Sequence, residues 1–99
     1  MRRGTTPTHT FTIPFNTSEV SKLRVIYAQR DNIKIVKTED DAELLDNKII
    51  VKLTQADTLR LNCKLKTDIQ IRILTHGGDS LVSDIYTRSV KQCLSNEVL

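Results

Sequence analysis

Hydrophobic residues recur at every second position over much of this chain. Over residues 9–15 the order is His-Thr-Phe-Thr-Ile-Pro-Phe, so Phe11, Ile13 and Phe15 share one parity and threonines the other. Successive side chains of a strand point to opposite faces, and this alternation predicts a half-buried strand. Pro14 has no backbone donor, which places the strand at a sheet edge or ends it there. Leu23, Val25 and Tyr27 alternate in the same way, followed by Ile33, Ile35 and Val36 across Arg30-Asp31-Asn32. This predicts a β-hairpin over 22–38. Ile49, Val51 and Leu53 mark another strand, and Leu59, Leu61, Cys63 and Leu65 share a parity that predicts a further strand or extended segment. Residues 69–74, Ile-Gln-Ile-Arg-Ile-Leu, form the clearest strand, and His76-Gly77-Gly78-Asp79 the clearest hairpin turn. A returning strand is expected over 81–91; its apolar residues, Val82, Ile85, Tyr86 and Val90, do not keep one parity, which calls for a bulge.

Between these runs the chain carries turn and cap signals. Asn16-Thr17-Ser18 and Asp46-Asn47 read as turns. The acidic stretch 39–46 reads as a loop with a short strand around Leu44, and Thr54 with Asp57 three residues later reads as a capping box for one helical turn. The residues from Cys93 onward read as a tail. Together these predict one domain over 1–99, an all-β chain forming a small antiparallel β-sandwich of about six or seven strands, immunoglobulin-like in style, with a small barrel as the other closed arrangement. The expected core is Phe11, Ile13, Leu23, Val25, Tyr27, Ile35, Ile49, Val51, Leu53, Leu61, Ile69, Ile71 and Ile73.

Composition narrows this reading. With 38% hydrophobic and 27% charged residues, the chain is too apolar for disorder and too polar for a bilayer protein. No run approaches the ~20 apolar residues that span a membrane, and the basic start Met1-Arg2-Arg3 has no apolar run behind it, so neither a membrane anchor nor a secretory leader is expected. A formal charge of +3 is a mild excess spread along the chain, with only Phe11, Phe15, Tyr27 and Tyr86 as aromatics. Nucleic-acid binders concentrate cations and interleave aromatics, so nucleic acid is not the expected partner. The two cysteines, Cys63 and Cys93, are expected to be reduced and inert in a cytoplasmic protein.

The residues that could carry chemistry favour structural readings. His9, His76, Cys63 and Cys93 lack the close ligand pairs of a zinc site, so no metal or other cofactor is expected. His76, Asp79 and Ser80 have the types of a hydrolytic triad but flank a glycine turn, where Asp and Ser are ordinary turn residues. Glu39, Asp40, Asp41 and Glu43 lack the spacing and central glycine of a calcium loop. The residues worth following are Arg24, Lys34, Lys52 and Arg72, which sit at outward parity in their strands and would form a basic interaction face if they shared one sheet.

The segments Met1-Arg2-Arg3-Gly4-Thr5-Thr6-Pro7-Thr8-His9-Thr10, Val51-Lys52-Leu53-Thr54-Gln55-Ala56-Asp57-Thr58-Leu59, Ile69-Gln70-Ile71-Arg72 and Glu97-Val98-Leu99 resemble small prophage-encoded proteins of Firmicutes from the virion structural gene region. The strand order, with its Leu-Thr-Gln-x-Asp-Thr stretch and late hairpin, is also similar to the immunoglobulin-like N-terminal domain of phage baseplate upper proteins. The resemblance implies a non-enzymatic structural or assembly protein that acts through protein–protein contacts. It would be made in the bacterial cytoplasm and then carried into the virion. Its implied partners are other phage virion or assembly proteins and copies of itself, without membrane. The alternative is a β module that binds nucleic acid or carbohydrate.

Overall fold

The computed structural model describes residues 4–62, 64–83 and 86–89, the last as backbone only. Strands dominate the described residues: β1 (Thr8–Thr12), β2 (Val20–Gln29), β3 (Asn32–Thr38), β4 (Ala42–Leu45), β5 (Lys48–Lys52), β6 (Lys66–Thr75), β7 (Ser80–Val82) and β8 (Tyr86–Ser89), with a 3-10 turn (Thr17–Glu19) and one short α-helix, α1 (Gln55–Leu59). They form two antiparallel sheets. One has the order β1-β5-β4; the other runs β3-β2-β6, with β7 and β8 both pairing with the far side of β6. This is an all-β, sandwich-like fold, as the alternation predicts.

The core forms where the inward parities of the two sheets meet. Ile49, Val51 and Leu53 from β5 and the residue after it, with Ile13, pack against Leu23, Val25, Tyr27, Ile35, Ile69, Ile71 and Ile73 from the other sheet, and Leu61 closes one side. All of these belong to the expected core; Phe11 is only partly buried, and Val20 joins the cluster. Val20 has the parity of the outward residues of β2. It turns inward because Ser21 is an extra residue: Val20 faces Thr75 while Lys22 faces Leu74, and one inserted residue reverses the alternation. A second bulge makes Lys34 the unpaired residue of β3, so Ile35 points in opposite Tyr27 while Ile33 lies opposite Ala28, 63% exposed.

The ends of the strands have local causes. β1 stops before Pro14, and the Ile13 amide bonds to the Asn47 carbonyl instead. Arg30 and Asp31, with φ of 48° and 66°, make the two-residue turn between β2 and β3. Two left-handed residues match the twist of a hairpin but strain side chains other than glycine. At the β6–β7 hairpin, Gly78 takes φ of 90°, and the Gly78 and Asp79 amides both bond to Thr75, at its carbonyl and its hydroxyl.

Two expectations are corrected. The segment around Leu59, Leu61 and Leu65 is not a strand: Leu59 ends α1, and the chain then bends. Thr54 and Asp57 form the full capping box and draw the chain into a helical turn. Beyond it, the buried Gln29 amide donates to the carbonyls of Asn62 and Leu65 and to the Thr67 hydroxyl, and accepts from the Asn62 amide. Backbone groups that a strand would have paired are spent on one side chain. The returning strand is split into β7 and β8. Ser83 accepts the Ile71 amide with its hydroxyl in place of a carbonyl, and the register gains one residue between Val82 and Tyr86. The tail and both cysteines lie outside the described residues.

Replacing buried Ile71 by Asp strands a charge in the core and should abolish the cooperative unfolding transition, whereas Arg72→Asp, on the exposed face, should keep it; far-UV circular dichroism with thermal melts distinguishes the two. Exchanging the strained pair for Asn-Gly (Arg30→Asn with Asp31→Gly) should stabilise the fold by about 1 kcal/mol, measured by urea unfolding.

Candidate interaction face

The outer face of the five-stranded sheet is set by the even positions of β2 and β6. Lys22, Arg24, Ile26 and Ala28 from β2 lie opposite Leu74, Arg72, Gln70 and Asp68 from β6. β3 adds Val36 beside Ile26 and Ile33 beside Ala28; β7 adds Val82 beside Arg72 and Ser80 beside Leu74. This places two of the four predicted basic residues side by side: Arg24 and Arg72 are direct register partners, both exposed. Lys34 belongs to the same sheet but sits at the bulge of β3, several rungs away. Lys52 lies on β5, paired with Thr8, in the other sheet. The four therefore do not form a single stripe. Lys22 completes the group instead, and its signal was its parity with Arg24 in the run Lys-Leu-Arg.

Lys22, Arg24 and Arg72, with Leu23, Ile73, Leu74 and Ser80, line a shallow depression of about 180 Å³. On one flank stands Glu39. One of its oxygens, Oε2, accepts the Leu23 amide at 3.0 Å and the Arg24 guanidinium at 3.1 Å. Arg24 also donates to the Leu23 carbonyl. The Leu23 amide holds the Glu39 carboxyl below its usual range, with Arg24 adding to the effect. Among the described residues, Lys22 and Arg72 make no ion pair.

Of the other acids over 39–43, Asp41 is the one whose carboxylate serves the backbone. Asp41 accepts the amide and the hydroxyl of Thr38, and the Thr38 amide draws its carboxyl below the usual range. Asp40 donates its amide to the Thr38 hydroxyl, and Glu43 is exposed on β4. The turn thus closes the end of β3.

The remaining candidates are dispersed. His76, Asp79 and Ser80 are all exposed at the β6–β7 hairpin, and no bond joins their side chains. The His76 amide bonds to the Glu19 carbonyl, and the Asp79 carbonyl accepts the Thr75 amide. His9 lies between the sheets, its Nδ1 2.7 Å from the Tyr27 hydroxyl. Tyr27 is fully buried, and burial pushes its hydroxyl well above the ordinary tyrosine range, with the Asp57 charge adding to the effect. Among the described residues no group of three or more His, Cys, Asp or Glu could hold a metal. An open mouth between the sheets, of about 360 Å³, is lined by Ile13, Phe15, Ile71, Ile73, Leu81 and Val82, with Thr12 and Ser83 as polar neighbours; among the described residues that line it there is no acid or base. Among the described residues, no helix is long and apolar enough to cross a membrane.

The edge beside this face is anchored by a polar contact that sequence reasoning did not find. Lys37 of β3 reaches Asp57 of α1 at 2.8 Å, with both side chains largely buried. Asp57 Oδ2 also accepts the Thr54 amide. Burial opposes ionisation of Asp57, but Lys37 and Thr54 outweigh it and lower its pKa. Lys37 has inward parity opposite Val25, a position that reads as core until α1 supplies the acid.

No protein-family model, curated protein or solved structure matches the chain.

The Lys37–Asp57 pair generates a pH prediction. A depressed carboxyl pKa contributes stability that is present above the unfolded value, about 3.9, and lost as pH falls through the folded value. Unfolding free energy should decline on acidification from about pH 5. Asp57→Asn should cost about 2 kcal/mol at pH 7, because it leaves the Lys37 ammonium largely buried without its counter-charge, and should flatten the acid slope. Part of the slope should persist through Glu39 and Asp41; urea titrations at several pH values measure both effects.

Proposed function

We propose that this chain is a phage-derived structural or assembly protein that performs no chemistry of its own and works through contacts with other virion or assembly proteins and with copies of itself. The observation that carries this reading is the outer face of the five-stranded sheet. Ile33, Val36, Leu74 and Val82 are 63%, 45%, 36% and 53% exposed there, interspersed with Lys22, Arg24 and Arg72. Apolar side chains rimmed by cations on a rigid sheet are characteristic of surfaces that meet another protein. The likeness of the start, the middle and the Ile69–Arg72 strand to small prophage proteins of the virion gene region supports the same reading.

Contact through this face requires no pocket and no cofactor. The sheet beneath is held by the pairing of β2 with both β3 and β6, so its side chains are presented at fixed spacing. Little ordering entropy is then lost on association. The β3 edge is less suited to strand addition: the Lys34 bulge twists it, and Asp41 occupies the Thr38 amide. Partners therefore meet the face and not the β3 edge.

Light scattering across a concentration series tests the proposal. The apparent mass should rise above the 11.3 kDa of one chain and fall back to it in the Ile33→Asp, Val36→Asp double variant, whose exposed positions leave the core intact. A single-chain mass at every concentration, with no binding to the products of neighbouring virion genes, would refute it.

A further inference from the structure

We infer that the depression between Lys22, Arg24 and Arg72 is a carboxylate-binding site that receives an acidic side chain from a partner protein segment, next to an apolar residue of that segment. The inference rests on the protein-contact reading above and names the chemistry of its partner.

Its first support is uncompensated charge. Like charges directly across a pair of strands destabilise a sheet, and Arg24 faces Arg72. Lys22 adds a third cation on the same face, two residues from Arg24. The flanking acid, Glu39, is already committed: the same oxygen serves the Leu23 amide and Arg24. Arg72 and Lys22 thus keep their charges without an acid among the described residues. The core needs nothing from these outward positions, so the fold alone does not call for cations there.

The second support is placement. β2 and β6 are the two inner strands of the sheet, so the cations rise from its best-held backbone. The Arg72 guanidinium is a planar fork suited to a bidentate carboxylate, and Ser80 lines the same depression. Its volume of about 180 Å³ admits one small anionic group. Cofactor and drug-sized ligands occupy roughly 300–1,000 Å³.

The third support separates protein from nucleic acid. Leu74 lines the depression and Val82 lies opposite Arg72, both exposed. An apolar residue beside the acid of a peptide would cover them. Binding to a single nucleic-acid strand depends on aromatic side chains against which bases stack. The depression has none among its described lining residues.

Fluorescence anisotropy tests the inference with two probes: a labelled peptide alternating glutamate and leucine, and a labelled thymidine oligonucleotide of equal charge. The peptide should bind in a salt-sensitive manner. The Lys22→Ala, Arg72→Ala double variant should weaken binding about tenfold, and Arg72→Lys should restore part of it. The Lys34→Ala, Lys52→Ala double variant removes the same charge elsewhere and should leave binding unchanged. Equal weakening by both double variants would reduce the site to net charge and overturn the inference, as would tighter binding of the oligonucleotide or no binding of the peptide. Thermal melts confirm that each variant is folded. If peptide binding fails while the concentration-dependent mass persists, the acidic partner is excluded and the protein-contact reading stands.

Discussion

The antiparallel pairing of β2 with β6 determines which way the side chains of this molecule's central strands point. Val25 stands opposite Ile71 and Arg24 opposite Arg72, so one register sends the apolar set inward and the basic set outward. A strand has a side-chain period of two, and a slip of one residue would exchange the two sets. Burying Arg24 or Arg72 in place of Val25 or Ile71 would cost far more than any edge contact could return. The hydrophobic effect on the inner face and the position of the cations on the outer face are therefore one constraint seen from two sides. β3, β7 and β8 take their registers from this pair, and the other sheet closes over its inner face.

Where alternation fails, polar side chains take over the backbone. Gln29 is fully buried yet saturated, and it ties the irregular segment before β6 to the end of β2. Thr58, also buried, donates to the Thr5 carbonyl and accepts the Gly4 amide, which fastens the start of the chain to α1. Asp57 caps the same helix and holds Lys37 of β3. No buried side-chain nitrogen or oxygen among the described residues lacks a partner. Loops of a small domain have little core of their own, and these bonds fix them at the cost of local strand structure.

Much of the fold was legible because a period of two is a strong signal over long runs such as 20–29 and 66–75. Two features had no signal in the alternation, because in each a single residue changes the period. Ser21 and Lys34 are extra residues, and neither has a side chain that announces a bulge; Val20 and Ile33 reverse their facing as a result. The segment at Leu61 and Leu65 had strand parity but lost its backbone bonds to Gln29, a contact between residues more than thirty positions apart. The basic face was half legible for a related reason. Parity tells outward from inward but not one sheet from another, so Lys52 was indistinguishable from Arg72 until the strand order was known. Lys22, in contrast, was readable from its spacing to Arg24.

The outer face follows from this register, and the proposed contact role is built on that face. Nuclear Overhauser spectroscopy tests the register most directly. The Ile71 amide and carbonyl bond to Ser83, on the far side of β6 from β2, so Val25 and Ile71 form a non-hydrogen-bonded pair. Their α-carbons in such a pair are about 4.5 Å apart, and a strong cross-peak between the two α-protons is expected. A cross-peak from Val25 to the α-proton of Gln70 or Arg72 in its place would mean a shifted register, and would contradict both the core and the basic face built on it.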